Sequence, residues 1–214
     1  MKKEITFISD THGKHYQLTD DLPGGWMIIH AGDVSNRGLV SEINDFTLWF
    51  SKLPYEHKIF IAGNHDFGFE NEDTKKQINI PDNVIYLQDS EVVIDGMKIY
   101  GSPWQPEFFD WAFNLKRGEQ LAEKWSMIPN DTDILITHGP AFGMLDYVIQ
   151  GLTVGCEDLV RRIFEINPKI HVCGHIHFSY GMKKSVDTTF INASSLGERY
   201  YYDNKPIVVD YDDL

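Results

Sequence analysis

Cysteine is nearly missing from this chain. Only Cys156 and Cys173 occur in 214 residues, and neither sits in a CxxC pair. Two such thiols make no disulfide framework; they read as small buried hydrophobes in a reducing compartment, with the cytoplasm as the expected location. Long apolar runs are missing too. Nothing approaches the ~18 consecutive apolar residues of a membrane-spanning helix. The N-terminus, MKKEITFISD, has two lysines but no extended apolar region and no small-residue cleavage site, so it does not read as a signal peptide. Basic residues are scarce: 19 Lys and Arg face 32 Asp and Glu, a net charge of −13. Duplex nucleic acid and anionic membranes are held by clustered Lys and Arg, so this balance argues against both as partners. Part of the acidic excess, such as the tail DYDDL (210–214), reads as an aid to solubility. Repeats, low-complexity tracts and Ser/Gly-rich linkers are absent as well, and one domain over residues 1–214 is the expectation.

What the chain does have is apolar material, 42% of its residues, arranged in short β-rich runs. EITFIS (4–9), WMIIHAG (26–32), HKIFIAG (57–63), DILITHG (133–139), KIHVCG (169–174) and TTFINAS (188–194) are each bounded by turn formers, as buried strands are. VVIDGMKIYG (92–101) predicts a hairpin turning at Asp95-Gly96. Helical spacing appears in 39–53, at Val40, Ile43, Phe46 and Phe50, and in 155–166, at Leu159, Ile163 and Ile166. Alternation of this kind predicts a layered α/β fold.

Polar, chemically capable residues collect where the strands end. Asp10 and His12 follow the first run and Asp33 the second. Asn64 and His65 follow the third, His138 the fourth, and His175 and His177 the fifth. Taken singly, each has an ordinary explanation: a helix cap, an Asx-turn, or an Asn in left-handed backbone. Together, with Gly before Asp33, Asn64 and His175, they mark the strand ends where open α/β sheets place their sites. The donors are carboxylates, imidazoles and one amide oxygen, with no thiolate, which suits Mn, Fe, Zn or similar divalent ions. They are too many for one ion and enough for two, and paired ions ~3.5–4 Å apart clamp a phosphoryl displacement.

The ordered motifs D10-x-H12, G32-D33, G63-N64-H65-D66, H138 and G174-H175-x-H177 resemble those of the calcineurin-like metallophosphoesterases. IYLQDS, IYGSPWQPEF, WAFNLKRG, ILITHGP and INAS are similar to a metallophosphoesterase-domain subgroup described as cyclic nucleotide phosphodiesterases. The resemblance implies a four-layer αββα sandwich with two central mixed β-sheets and a dimetal site at the strand ends. It implies that Asp10, His12 and His177 hold one metal, that Asn64, His138 and His175 hold another, and that Asp33 bridges them. Mn2+ is the favoured ion, with Fe, Zn, Ni and Mg as alternatives. His65, oriented by Asp66, would face a small phosphoester substrate as general acid while a hydroxide shared by the metals attacks phosphorus. Asn64 would also lie against the substrate.

Arg37, in GDVSNRG, has the spacing of a phosphate-contacting arginine in the protein Ser/Thr phosphatases of the same superfamily; the plain alternative is a surface arginine before a helix. Lys14 also follows the first motif closely. The aromatic stretch WQPEFFDWAF (104–113) reads first as core or lid packing and second as a platform for a nucleobase. The expected function is dimetal-dependent hydrolysis of small phosphodiesters such as cyclic nucleotides. The alternatives are a phosphomonoesterase or protein phosphatase, and a non-catalytic binding module on the same scaffold. A nuclease acting on duplexes is disfavoured by the charge.

Overall fold

The structure, a computed structural model, describes residues 3–149 and 151–213. Its strands are β1 (Glu4–Ile8), β2 (Gly25–His30), β3 (Tyr55–Phe60), β4 (Ile85–Tyr86), β5 (Ser90–Ile94), β6 (Met97–Ser102), β7 (Gln105–Pro106), β8 (Asn114–Leu115), β9 (Ile134–Thr137), β10 (Ile170–Cys173), β11 (Gly181–Ser185), β12 (Thr188–Asn192) and β13 (Ile207–Asp210). The α-helices are α1 (Val40–Lys52), α2 (Phe67–Glu70), α3 (Glu72–Lys75), α4 (Glu119–Ser126) and α5 (Glu157–Ile166).

Two mixed sheets form the centre. One has the order β13-β1-β2-β3-β4, the other β11-β12-β10-β9-β6-β5. Strict alternation along the strands decides what each face meets. Ile5, Phe7, Met27, Ile29, Ile59 and Ile61 from the first sheet join Ile99, Ile134, Ile136, Ile170, Val172 and Ile191 from the second in one buried core. The alternate residues Ile8, Ile28 and Phe60 turn outward, where Ile43, Phe46, Trp49 and Phe50 of α1 cover them. On the other side Tyr100, Leu135 and Phe190 meet Leu121 and Trp125 of α4 and Leu159 and Ile163 of α5. The layers are therefore helix, sheet, sheet, helix, as the resemblance implied.

Local chemistry explains most element boundaries. The β5–β6 hairpin turns at Asp95 and Gly96, with φ of 50° and 81°. Positive φ at both central residues matches a two-residue turn whose twist suits the strands. Glu42 Oε2 accepts the exposed N–H groups of Arg37 and Leu39 at the start of α1. Cys156 is buried as expected, and its sulfur also accepts the N–H of Leu159 at the start of α5.

The tail also contributes to the core. β13 pairs antiparallel with β1, and Tyr211 is buried in the inter-sheet core, its N–H donated to the Lys3 carbonyl. Tyr211 is thus a core residue directly before the exposed Asp212 and Asp213. Among the described residues no helix is long and apolar enough to cross a membrane.

β1, β2 and β3 are parallel neighbours, and so are β9 and β10. Their carboxyl ends open at one edge of the sandwich, and every candidate ligand lies within a few residues of those ends.

Candidate metal centre

Backbone conformation is special where the candidate ligands sit. Asp10, His12, Asp33 and His175 all have positive φ, between 43° and 66°. Such conformations cost of order 1–3 kcal/mol each for L-residues and persist where the surrounding structure over-determines them. Hydrogen bonds do that here. The N–H groups of Asp10 and His12 are donated to the carbonyls of Gly32 and Asp33. The His175 N–H is donated to the Asp10 carboxylate at 3.0 Å.

The glycines before the ligands are explained by close approach: a Cβ on Gly32, which also has φ of 99°, would overlap His138 Nδ1 and the Ala62 carbonyl. A Cβ on Gly174 would overlap Asp10 Oδ2 and Ser9 Oγ, and one on Gly63 would overlap Asp33 Oδ1. Asp10 has no room to yield, because Oδ2 also accepts the Ser194 hydroxyl at 2.9 Å. Gly174→Ala is therefore expected to displace Asp10, lower bound metal per chain and cost about 1–3 kcal/mol, as overpacking does. Metal analysis and thermal unfolding check this. Unchanged values for both would mean that the Asp10 position is not fixed by contact with Gly174.

The side chains gather into two groups with Asp33 between them. In the first, His12 Nε2 and His177 Nε2 lie 3.4 Å apart, and Asp10 Oδ1 is 4.0 Å from His12 Nε2 and 3.4 Å from His177 Nε2. In the second, Asn64 Oδ1 lies 2.9 Å from His138 Nε2 and 2.8 Å from His175 Nδ1. Asp33 Oδ2 is 3.6 Å from His12 Nε2 and 3.4 Å from His138 Nε2. Asp10, His12, Asp33, Asn64, His65 and His138 are all buried.

The tautomers follow from the outer partners. A carbonyl only accepts, so His138 Nδ1 carries the proton donated to Ala31 at 3.0 Å, and His177 Nδ1 carries that donated to Gly197 at 3.1 Å. In the neutral ring this leaves each Nε2 facing inward as a lone pair toward other acceptors, the arrangement by which backbone carbonyls orient metal-ligating histidines. Burial, against the pull of Asp33 and Asp10, lowers His12 to about 4. Burial and then the charge of His138 lower His175 to about 3. Both rings are therefore neutral at pH 7 and have a free nitrogen to give. Burial would lower His138 as well, but the charge and hydrogen bond of Asp33, the charge of Asp10 and the Ala31 carbonyl together outweigh it and push this ring up to about 9. His177 is raised against burial by its hydrogen bond to Asp10. Converging acceptors that stabilise protons in this way are where a divalent cation competes for the same lone pairs. The donor set fits two such ions.

His65 sits beside the cluster. Its N–H is donated to Asp33 Oδ1 at 2.8 Å, and its Nδ1 is bonded to the Asn36 carbonyl at 2.8 Å. Here the structure departs from expectation, because Asp66 does not orient the His65 ring. The Asp66 carboxylate, fully buried, accepts the N–H groups of Val34, Ser35 and Gly63 and the Ser35 hydroxyl. It ties the loop carrying Asp33 to the loop carrying Asn64. Burial, followed by the charge of Asp33, raises Asp66 to about 6. A ring nitrogen of His65 also lies within 4.8 Å of ligand atoms of His12 and Asp33, close enough to join a cation there.

A cavity of about 720 Å³ opens over the cluster. Asp33, Asn64, His65, His175 and His177 line its floor, and Phe108, Phe109, Trp111, Val148, Ile149 and Phe178 are among its walls. Arg37 is exposed and does not line the cavity. The arginine that does is Arg117, which is bound to Glu157 and to the carbonyls of Val154 and Gly155. Lys14 is bonded to the Tyr200 carbonyl instead of lining the cavity. The aromatic stretch 104–113 divides. Ala112 and Phe113 are fully buried in the α1 core, while Phe108 and Phe109 are 49% and 77% exposed at the cavity wall.

The site also contains residues that no motif marks as functional. Ser194 holds Asp10, Asn36 holds His65, and Tyr200 packs against the rings of His12 and His177 at 4.8 and 5.0 Å. Ser194 ends the subgroup string INAS, the one signal in the chain that points to it. Nothing local marks Asn36 or Tyr200.

The calcineurin-like phosphoesterase family profile matches residues 3–179. The chain belongs to this family. Calcineurin-like relatives include the human metallophosphoesterase domain-containing protein 1, 44% identical over 95% of this chain and 69% of the human protein. The Caenorhabditis elegans UPF0046 protein T07D4.2 is 36% identical over 95% of this chain and 58% of its own length. Among solved structures, the phosphopantetheinyl hydrolase of Mycobacterium tuberculosis superposes with a TM-score of 0.61 at 16% identity, covering 93% of this chain and 91% of that one. That likeness concerns the fold. As a calcineurin-like phosphoesterase, the chain presents its candidate ligand groups at the carboxyl ends of the strands, beneath the cavity of about 720 Å³.

Proposed function

We propose that this chain hydrolyses small phosphodiesters, cyclic nucleotides foremost, with two divalent metal ions. The observation that carries this reading is the convergence of two acceptor groups on Asp33, each with an imidazole fixed from outside by a backbone carbonyl. Asp10, His12 and His177 would hold one ion and Asn64, His138 and His175 the other, with Asp33 shared and manganese favoured. When bound, such ions supply Lewis acidity toward phosphate oxygens and acidify a water for attack. The chain's own residues do the rest. His65 gives its Nδ1 proton to Asn36, so Nε2 is the nitrogen left for substrate. That nitrogen carries a proton only when the ring is cationic, and this form protonates the leaving oxygen. Asn64 and Asp33 lie at the cavity floor where the phosphoryl group would rest.

Substrate charge favours a diester. The walls are largely apolar and aromatic, Glu107 and Glu198 add negative charge, and the lining Arg117 is already bound to Glu157. A singly charged diester suits such a cavity better than a monoester near two charges. Arg37, whose spacing resembles that of a phosphate-contacting arginine in protein phosphatases, lies outside the cavity lining. Arg37→Ala is therefore expected to change turnover of either ester class by no more than about twofold, as surface substitutions do. A selective loss of monoester activity would return Arg37 to the substrate.

The test is a side-by-side screen of 3′,5′- and 2′,3′-cyclic nucleotides, aryl phosphodiesters and simple monoesters across Mn, Fe, Zn, Ni and Mg. Diesters turned over faster than monoesters support the reading. Monoesters turned over far better than every diester establish a phosphatase instead. Bound metal with no turnover of either class points to a binding module.

A further inference from the structure

Among the residues around His65, Trp111 has a contact with no obvious purpose in folding. Its indole stacks on the His65 imidazole, with ring centroids 4.2 Å apart and planes inclined at 26°. The other constraints on that imidazole are the Asn36 carbonyl at Nδ1 and an edge contact with His12 at 4.5 Å. The hydrogen bond sets where one nitrogen points but leaves the ring free to rock about that axis. A flat partner against its face removes this freedom, and offset stacking of aromatic planes is itself favourable by about 0.5–1.5 kcal/mol.

Trp111 is also well placed to be stiff. The next residue, Ala112, donates its N–H to the Asn64 carbonyl at 3.1 Å, and Phe113 donates its N–H to Glu70 Oε1 at 2.9 Å. Both are fully buried, so the segment is anchored directly after Trp111 and is tied to the loop that carries Asn64 and His65. On the other side the chain emerges into the exposed pair Phe108 and Phe109. Phe67 adds a tilted ring contact to Trp111 at 6.0 Å.

We infer that Trp111 is a positioning residue, whose indole holds the His65 imidazole at the angle needed to deliver its proton. The inference rests on the proposed role of His65 in phosphoester hydrolysis. It separates Trp111 from the neighbouring cavity-wall residues, whose contribution would be to substrate affinity.

The consequences differ measurably. If Trp111 positions His65, Trp111→Ala lowers kcat, by up to ~10²-fold, as loss of alignment at a reacting group can do. The loss is greater for diesters with poor leaving groups than for nitrophenyl diesters, and KM changes little. Trp111→Phe, which keeps a flat ring, recovers most of the rate. The double variant His65→Ala/Trp111→Ala is no slower than His65→Ala alone, because residues that act as a unit are not additive. A wall residue would instead raise KM, show no dependence on the leaving group, and add its loss to that of His65→Ala. That pattern overturns the inference.

A readout without turnover separates this inference from the phosphoesterase reading. In the wild type the His65 ring protons should carry a ring-current shift from the indole, visible by NMR with His65→Ala as the assignment control. In Trp111→Ala that shift should vanish and the His65 signals should broaden or average as the ring rocks. His65 signals that stay sharp and show no reorientation in Trp111→Ala overturn the positioning role, whether or not any substrate is turned over. Absence of turnover in the wild type for every ester tested counts against the proposed function instead. Metal content and unfolding temperature equal to wild type identify the variants as folded; if Trp111→Ala fails that control, Trp111→Phe and Trp111→Leu carry the comparison, since only the first preserves a stack.

Discussion

Asp33→Ala should strip metal from both halves of the cluster and abolish turnover. The reason is geometric. Asp33 Oδ2 lies within 3.6 Å of His12 Nε2 and 3.4 Å of His138 Nε2, so this one carboxylate oxygen reaches both groups. Its other oxygen accepts the His65 N–H, which ties the shared ligand to the proposed acid. Removing the carboxylate leaves each group one donor short and removes the negative charge that offsets burial at His138. Elemental analysis should find both ions reduced, whereas Asp10→Ala should affect chiefly the ion held with His12 and His177. Asp33→Asn, which keeps the shape and loses the charge, separates ligation from simple cavity creation. Full metal occupancy and a near-native rate in Asp33→Ala would remove it from the centre.

His65→Ala should keep both ions and lose ~10²–10⁴ in kcat, the usual share of a positioned general acid. The contact that joins His65 to Asp33 is made by the peptide N–H, which alanine retains. Nδ1 is committed to Asn36, so truncation removes only Nε2 from the substrate's side. The loss should shrink for nitrophenolate leaving groups, which depart without a proton. Equal losses across leaving groups would remove His65 from the acid role, and loss of a metal ion would make it a ligand, a role that its approach to His12 and Asp33 also permits.

The residues themselves make much of the site legible. Hydrophobic alternation places the strands, and turn formers place their ends, because both are properties of a few consecutive residues. The donors sit at those ends, so the order of residues alone gathers Asp10, His12, Asp33, Asn64, His65, His138, His175 and His177 into one set. The glycines before Asp33, Asn64 and His175 are visible as letters. Their reason, an atom of another candidate ligand residue where a Cβ would be, is not.

The two misjudged roles have the same origin. Adjacency in GNHD suggests that Asp66 steadies His65, yet neighbouring side chains often point apart, and this carboxylate turns back to fasten the Asp33 loop. Spacing suggests that Arg37 reaches phosphate, but it is exposed and lies outside the cavity lining.

By itself, then, the sequence determined the kind of chemistry: which oxygen and nitrogen donors are present, at which strand ends, and without thiolates or a basic surface. The tertiary structure decided who meets whom. The His175 N–H reaches Asp10 across 165 residues, and Trp111 comes to lie on His65 across 46 positions of sequence. Those meetings depend on two sheets packing face to face through Ile and Val side chains contributed by strands throughout the chain. Alternation tells each strand which face to bury, but only the packed core sets how the two sheets align, and with it the ångström-scale distances on which ligation and proton transfer depend.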